Sequence, residues 1–475
     1  MHDRVNDPHS SAEHAINTLP TQPKTLDYET LQDASLAAPS VTECPPTIGE
    51  KGREEGVKGG VIRVVGRSLL LEGMPLAGLD TRSGLVGLHG VEWLRNRVKK
   101  DSDLQRCTLV LGEMLLRSIE FKRDYVPLGS EWLRGILGDE SGRSILGILK
   151  EIGAIEPAGQ EGPWYWRITR RYRFTEQYRS QPFGTVSIAP KLIQRYITYY
   201  NRRLQLALEA APIYRALWDD IQHVSLHSSW VETVPQFAIG DWRKQLAWHR
   251  SYDEIYRRSF RFSCSLSKAG KFPKPGRIYT TFTSTPSKMR QYALLDGMPL
   301  VCLDVKASQP FLHSTLIPDS AEKRRYLEAV KSDKFYEELG AAGNWQGNSR
   351  AELKEAVFAS VFYGKLLPQE KASPIWKAFQ LTYPGLATAI SYEKRNNNRD
   401  LAIKMQYLEA EIILHTALPA LKQADPSIRV LTVHDAIYVT EDHIRAAKDA
   451  LHNAFATVTG NCPELREERS ALADI

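Results

Sequence analysis

The spacing of hydrophobic and polar residues divides the chain into segments that predict different structures. Residues 1–60 are rich in Pro, Ser, Thr, Asp and Glu and show neither helical nor strand periodicity, so we expect a disordered segment. Apolar residues then recur at helical spacing in DLQRCTLVLGEMLLRSI and in a long stretch over residues 188–224. Two short apolar runs, PLVCLDV and IRVLTVHDAIYVT, predict a buried strand and a hairpin in the C-terminal half.

Between these segments, the pattern predicts two short helices followed by a two-stranded ribbon. Ser130 and Ser141 are N-cap candidates for EWLRGILG and GRSILGILKEIG, and Gly153 is placed to end the second helix. The stretch IEPAGQEGPWYWRITRRYRF predicts two strands joined by a Gly/Pro turn.

This order of elements resembles a winged-helix module, and the resemblance implies contact with DNA through basic side chains. The alternative is an ordinary packing domain whose charges are solvated. The predicted DNA-binding residues on the second helix and the ribbon are Arg143, Arg167, Arg170, Arg171 and Arg173.

Length and composition narrow the class of protein. With 475 residues the chain is too long for one ordinary domain, and 42% hydrophobic and 25% charged residues are typical of a soluble globular protein. A net charge of +6 is compatible with a nucleic-acid partner. The five cysteines form no CxxC pair, and no signal peptide or membrane-spanning run is found, so we expect a reducing, cytoplasmic location.

The predicted organisation has four parts. They are a disordered segment (1–60), the winged-helix-like module (61–180), a helical scaffold or thumb-like region (181–260) and a catalytic part (261–475).

Two aspartates in the C-terminal half carry the predicted chemistry. Asp304 follows the apolar run PLVCL, and Asp435 lies at the predicted turn of the hairpin. Either aspartate alone is typical of a turn or cap residue. Two strand-borne carboxylates, however, can bridge two Mg²⁺ ions, or Mn²⁺ in their place, which phosphoryl transfer from a triphosphate requires. The backbone carbonyl of Val305 is a candidate for a further metal ligand.

Between the aspartates, four residues recur every fourth position. Arg350, Lys354, Phe358 and Phe362 therefore lie along one slowly drifting stripe of a predicted helix. Cations at one end of such a stripe can bind phosphates, and aromatic rings at the other can stack on a base. The alternative is an amphipathic helix with its apolar side in the core and a solvated basic end.

The order Asp, then Arg-x3-Lys-x3-Phe with Tyr-Gly, then His-Asp resembles the palm and fingers motifs of family A DNA polymerases. It is equally similar to the related single-subunit phage-type RNA polymerases, and the resemblance covers about residues 274–460. It implies an α+β right hand with an antiparallel palm and helical fingers and thumb. It further implies that Asp304 and Asp435 bind the metals and that Arg350 and Lys354 contact the triphosphate.

The resemblance also implies residues that bind the nucleotide, the primer or the template. His434 maps to a position near the primer end, Gln406 to a helix glutamine, and Arg277 and Arg290 to contacts with template, primer or nucleotide.

Several positions depart from the family pattern. The family's tyrosine comes twelve residues after the helix arginine, where this chain has Phe362 followed by Tyr363, so one of them is displaced or the helix contains a bulge. Gln309 or Phe311 stands where the DNA enzymes place a glutamate that screens the sugar, so the choice between deoxyribonucleotides and ribonucleotides stays open. The residue after His434-Asp435 is Ala436 rather than an acid, and in this respect the chain is closer to the RNA polymerases.

The sequence therefore predicts a template-directed nucleotidyl transferase, most simply a DNA polymerase of family A type, with primer–template DNA and nucleoside triphosphates as partners. The small size and the fused module favour a replication protein of a plasmid, phage or mobile element. Two alternatives stay open: an RNA-synthesising primase or RNA polymerase of the same fold, and a DNA-binding replication initiator with an inactive polymerase domain.

Overall fold

The computed structural model describes residues 78–80, 85–121, 124–138, 141–158, 170–230, 242–265, 273–347 and 349–472. All of them belong to one compact unit, Gly60–Ile475. The predicted disordered segment 1–60 and the ribbon tip that carries Arg167 lie outside the described residues.

The fold is α+β, with antiparallel strand pairs. The described strands are β1 (Gly78–Asp80), β2 (Leu85–His89), β3 (Val126–Pro127), β4 (Ile155–Pro157), β5 (Arg171–Phe174), β6 (Phe183–Ser187), β7 (Val224–Leu226), β8 (Phe262–Cys264), β9 (Ile278–Thr280), β10 (Ala293–Leu295), β11 (Met298–Val305), β12 (Leu431–Val433), β13 (Ala436–Thr440) and β14 (Leu465–Arg469).

The described α-helices are α1 (Val91–Arg95), α2 (Asp101–Phe121), α3 (Ser130–Leu137), α4 (Ser141–Glu151), α5 (Glu176–Arg179), α6 (Pro190–Glu209), α7 (Pro212–Ile221), α8 (Trp242–Tyr256), α9 (Thr281–Ser284), α10 (Ser287–Arg290), α11 (Ser308–His313), α12 (Ala321–Lys331), α13 (Phe335–Ala342), α14 (Arg350–Val357), α15 (Pro374–Thr382), α16 (Pro384–Lys394), α17 (Asp400–Ile412), α18 (Leu418–Ala424) and α19 (Ile444–Thr459). In the described part of the chain, no helix combines the length and the apolar composition needed to cross a membrane.

The two predicted helices and the two ribbon strands are present. They are α3, α4, β4 and β5, and β3 completes a sheet in the order β3-β5-β4. The prediction for Ser130 was wrong in detail: Gly129 is the N-cap of α3, Ser130 is the first helical residue, and no side chain caps the end. Gly153 lies two residues beyond α4 with φ 72°, a left-handed conformation that glycine adopts without strain and that ends helices.

The core of this N-terminal part continues beyond the predicted boundary at residue 180. Strand β6 pairs with β2, and Leu192 at the start of α6 packs into the same core as α3 and α4. The indole Nε1 of Trp132 donates a hydrogen bond to the Tyr200 hydroxyl at 3.2 Å. The first half of α6 therefore packs with the N-terminal helices rather than apart from them.

The second core lies between a sheet and the C-terminal helices. The sheet has the order β12-β13-β11-β10-β7, and β14 also pairs with β11. Leu303 and Val305 of β11 enter the large helical core together with Phe311 and Phe455. Since side chains alternate along a strand, Asp304 is directed to the opposite face of the sheet.

Candidate active site

The sheet register brings the two predicted aspartates to the same place. Leu303 of β11 pairs with Ile437 of β13, so Asp304 lies beside the turn that joins β12 to β13 and contains Asp435. Burial, and then the negative charge of Asp435, raises the pKa of Asp304 above its ordinary value. A carboxylate whose ionised form is disfavoured by burial and by a neighbouring carboxylate makes a place where a cation is stabilised.

The hairpin turn beside Asp435 is strained. Val433 pairs with Ala436, so His434 and Asp435 form a two-residue loop, and His434 has φ 58°. Glycine is usual at such a position, and a non-glycine residue in a left-handed conformation is concentrated at functional sites. Burial, then the charges of Arg277 and Arg290, lowers the pKa of His434 to about 4, so the imidazole is neutral at pH 7. Its Nδ1 is buried without a hydrogen-bond partner among the described residues.

A buried glutamate that the sequence did not reveal lies next to Asp435. Glu409 of α17 is 2% exposed, and its two carboxylate oxygens accept hydrogen bonds from Nε (2.7 Å) and Nη2 (2.6 Å) of Arg277. Gln309 Nε2 donates to Glu409 at 3.0 Å, while Gln309 Oε1 is buried without a partner among the described residues. Burial, and then the charge of Glu409, raises the pKa of Asp435 to about 6, whereas the hydroxyl of Ser308 acts to lower it.

An arginine that the sequence did not reveal lies against the other aspartate. Arg466 of β14 is paired across the sheet with Asp304, and its Nη2 donates to Asp304 Oδ2 at 3.0 Å. The same group lies 2.8 Å from Glu468. A guanidinium thus holds one oxygen of the Asp304 carboxylate, and a metal ion at that oxygen would need this ion pair to open.

The ambiguity between Phe362 and Tyr363 is resolved by a bulge. Residues Phe358–Phe362 form a π-helical turn after α14, as one of the two predicted alternatives required. Phe362 is completely buried, with its ring centroid 4.2 Å from that of His313, so of the two alternatives Tyr363 is the ring that solvent reaches. Tyr363 is 38% exposed. Burial raises its pKa to about 12; the charge of Arg277 acts to lower the pKa, and the charges of Glu409 and Asp435 act to raise it.

Three aromatic rings connect the basic helix to the aspartates. Tyr336 stacks on Phe358 (centroids 6.5 Å apart, 30° between planes), and Phe358 stacks on Tyr363 (5.3 Å, 25°). We call these three rings the aromatic row. Lys354 is exposed, with its Nζ 5.8 Å from the Tyr336 centroid. The row therefore runs from the exposed Lys354 to Tyr363, whose pKa is affected by the charge of Asp435.

Arg350 is less available than the stripe pattern predicted. Its guanidinium forms ion pairs with Asp333 (2.6 Å) and Glu337 (2.5 Å), both from neighbouring segments. These carboxylates neutralise much of its charge, and the ion pairs, with their hydrogen bonds, raise its pKa. A triphosphate contact by Arg350 would need these ion pairs to open.

The remaining predicted nucleotide-, primer- and metal-binding residues lie on elements that also carry residues of this site. Gln406 is half-buried on α17, one turn before Glu409. Arg290 donates to the Thr285 carbonyl at 2.5 Å, and its Nε is buried without a partner among the described residues. Val305 has a buried side chain, and the metal-ligand role of its carbonyl stays a prediction.

The predicted DNA-binding arginines are in different environments. Arg143 and Arg171 are exposed and Arg170 is half-buried. Arg173 forms an ion pair with Glu156 and lies 4.9 Å from the Tyr125 centroid, so its charge is already partly neutralised. Arg167 lies outside the described residues.

The donor set at the aspartates suits a hard divalent cation. Among the described residues, no group of three or more His, Cys, Asp or Glu side chains is arranged to hold a metal ion. Asp304 and Asp435 would therefore supply two carboxylates and leave other positions to backbone, water or substrate oxygens, as Mg²⁺ commonly requires. Burial and neighbouring carboxylates raise the pKa of both aspartates, and the positive charge of a divalent cation would favour the ionised form of each.

Comparisons with known proteins add little to what the site itself shows. No protein family matches the chain, and no curated protein matches it either. One solved structure that the chain is similar to is described as the POL domain of Pol1 from M. smegmatis in complex with DNA primer-template and dNTP. The match has 12% identity and a TM-score of 0.35, and it covers 58% of this chain and 65% of that chain, less than two thirds of its length. A TM-score this low does not establish a common fold.

Proposed function

We propose that the protein is a template-directed nucleotidyl transferase that uses nucleoside triphosphates. The observation that carries the proposal is the placement of Asp304 on β11 beside Asp435 in the β12–β13 turn. The charge of Asp435 acts on Tyr363 at one end of the aromatic row, and Lys354 lies at the other end. A nucleotide lying along the row could bind its phosphates to Lys354 and stack its base on an aromatic ring of the row. The strained His434 turn lies in the same region, as do Gln309 Oε1 and Arg290 Nε, two buried atoms that have no hydrogen-bond partner within the described part of the chain.

Each group then has a definite task. Asp304 and Asp435 would hold divalent cations, which, when bound, favour deprotonation of a 3′-hydroxyl and stabilise the charge of the leaving pyrophosphate. Lys354 binds phosphate oxygens, and Tyr363 offers a half-exposed ring to the base or sugar. His434, neutral at pH 7, offers an uncharged imidazole at the hairpin turn without adding a repelling positive charge.

The test is extension of a labelled primer in the presence of Mg²⁺. Four reactions combine DNA or RNA template with dNTPs or NTPs, and a fifth omits the primer. We expect template-dependent incorporation in at least one of them. Extension with NTPs alone would assign the RNA-synthesising alternative, and no incorporation by a folded protein that still binds DNA would favour the inactive replication initiator.

A matched pair of substitutions tests the nucleotide contact. Replacing Lys354 by alanine is expected to raise the nucleotide KM by roughly tenfold to a hundredfold, since a charge-assisted hydrogen bond is worth roughly 1.5–3 kcal/mol. Arg350→Ala should raise it less, because Asp333 and Glu337 already hold the Arg350 guanidinium. Steady-state incorporation at varied nucleotide concentration measures both. A KM that does not change in Lys354→Ala would mean that this lysine is merely solvated.

We propose further that the N-terminal part, with its winged-helix-like order of elements, binds DNA. Its pairing with a polymerase would suit a replication protein of a plasmid, phage or mobile element. The exposed Arg171 on β5 is the side chain best placed to contact phosphate, while Arg173 on the same strand is held by Glu156.

The two arginines make a controlled test of this interface. Arg171→Ala is expected to reduce the slope of log Kd against log salt by about 1, because one released counterion is lost. Arg173→Ala should change the slope less. Fluorescence anisotropy with a labelled duplex at several salt concentrations measures both slopes. Equal slopes for the wild type and Arg171→Ala would argue against a DNA-binding ribbon.

A further inference from the structure

Lys394, the last residue of α16, is a buried cation with an unusual set of partners. It is 4% exposed, and its Nζ donates hydrogen bonds to the carbonyl oxygens of Val361 (2.7 Å) and Gly364 (3.0 Å). Burial lowers its pKa to about 8, and no carboxylate among the described residues contributes to that value. At neutral pH the amine is therefore mostly protonated, and two backbone carbonyls bear a buried positive charge.

The position of these carbonyls explains why a lysine is stable there. They lie at the end of the π-helical turn Phe358–Phe362, where the last carbonyls of a helix have no partner within the helix. The partial negative charge of a helix C-terminus stabilises a nearby cation. Lys394 satisfies two orphan acceptors at once and ties α16 to the end of this turn.

The two acceptor carbonyls lie on either side of Tyr363. On the near side, the Tyr363 amide donates to the Phe358 carbonyl at 2.8 Å. On the far side, a Cβ at Gly364 would lie 1.8 Å from the Ala359 carbonyl oxygen, so only glycine fits there. The backbone of Tyr363 is thus fixed before and after the residue, while its ring is the exposed end of the aromatic row.

We infer that Lys394 is a positioning residue for nucleotide binding, which holds the turn around Tyr363 and so keeps the Tyr363 ring beside Asp435. The inference rests on the proposed function. It predicts that Lys394 acts on the nucleotide only through Tyr363, since its amine is directed to carbonyls rather than to the site. The effects of losing Lys394 and of losing Tyr363 should therefore not add.

A double-mutant cycle on primer extension tests this dependence. Lys394→Met keeps the length of the side chain and removes both hydrogen bonds, and we expect the nucleotide KM to rise about tenfold, with the Kd for primer–template unchanged. Adding Lys394→Met to Tyr363→Ala should raise the KM no further. Should Lys394→Met fail to fold, Lys394→Gln, which retains an uncharged N–H donor, takes its place in the cycle.

Lys404→Met is the matched control, because Lys404 reaches Glu393, the residue before Lys394, from the solvent side (2.5 Å). A second measurement is independent of catalysis: hydrogen exchange of the peptide 358–366 should be faster in Lys394→Met and unchanged in Lys404→Met. Additive effects on KM, or unchanged exchange, would overturn the role of Lys394. An inactive wild-type protein with the expected exchange difference would instead overturn the proposed function and with it the nucleotide role.

Discussion

Replacing Asp304 or Asp435 by asparagine is expected to abolish nucleotide incorporation without unfolding the protein. Asparagine keeps the shape of each side chain but loses the negative charge that a divalent cation requires, and no third acidic, histidine or cysteine ligand completes a metal-binding cluster among the described residues. Primer extension measures the loss. Asp442→Asn is the control, since Asp442 is exposed in the turn that follows β13.

Of these two substitutions, Asp435→Asn should increase the stability of the folded protein at pH 7 although it abolishes activity. The pKa of Asp435 is about 6 in the folded protein, against an ordinary value of 3.8, so the folded state binds more protons between these pH values. Stability of the wild type therefore falls as the pH rises from about 4 to about 6 and stays lower above it. Asp435→Asn lacks this fall and should be more stable at pH 7, by at most about 3 kcal/mol.

Urea unfolding at pH 4 and pH 7 without divalent cations measures this difference. An inactive but stabilised Asp435→Asn variant is the behaviour of a residue retained for function at a cost in stability. Primer extension at the wild-type rate by either aspartate variant would contradict the proposed metal site.

Glu409→Ala is expected to destabilise the protein by about 3–5 kcal/mol, because it leaves the Arg277 guanidinium in the interior without its partner. The side chains of Glu409 and Arg277 are 2% and 17% exposed, and their bidentate contact is shielded from solvent. The double variant Arg277→Met with Glu409→Leu should recover much of the loss, since two apolar side chains leave no unpaired charge. Urea unfolding of the single and double variants measures both effects.

The same helix supplies the control for this prediction. Glu411, two residues further along α17, pairs with Lys274 at 2.6 Å, but the two side chains are 33% and 47% exposed. Glu411→Ala should cost no more than about 1 kcal/mol, as is typical of solvent-exposed pairs. Equal losses for Glu409→Ala and Glu411→Ala would mean that the Arg277–Glu409 pair is as solvent-screened as a surface one.

Glu409→Ala has a second expected consequence at the site. Removing its charge should bring the pKa of Asp435 down from about 6, because that charge is, after burial, the largest cause of the elevation. A drop in activity with a downward shift of the acidic limb of the pH profile would show that Glu409 acts on Asp435 as well as on Arg277. Stability alone would not produce such a shift.

Much of the local structure could be predicted from periodicity. The apolar runs before Asp304 and around Asp435 predicted β11 and the β12–β13 hairpin, because alternation and turn chemistry are properties of neighbouring residues. The twelve-residue spacing after Arg350 indicated either a displaced residue or a bulge, and the π-helical turn is that bulge. The ribbon strands and the helices before them were likewise predicted from turn residues and helical spacing.

Exposure within those elements was not predictable from the same patterns. Phe362 and Tyr363 are adjacent aromatic residues, and nothing in their neighbourhood tells which ring is buried. The π-helical turn rotates the chain by an extra residue, so that Phe362 enters the core and Tyr363 remains half-exposed. Arg350 has the same local pattern as Lys354, yet only Arg350 is held by two carboxylates from other segments.

The amino-acid sequence by itself determined that one aspartate lies on a buried strand and the other at a hairpin turn, and which helix carries the cations, because these follow from residues a few positions apart. Only the tertiary structure decided that Glu409 holds Arg277 across 132 residues and that Arg466 lies on Asp304 across 162 residues. Such pairs depend on sheet register and on how helices pack, and a one-residue change in register would direct Arg466 to the other face of the sheet. Long-range pairing leaves no local pattern in a single sequence, which is why these residues of the site could be found only in the folded chain.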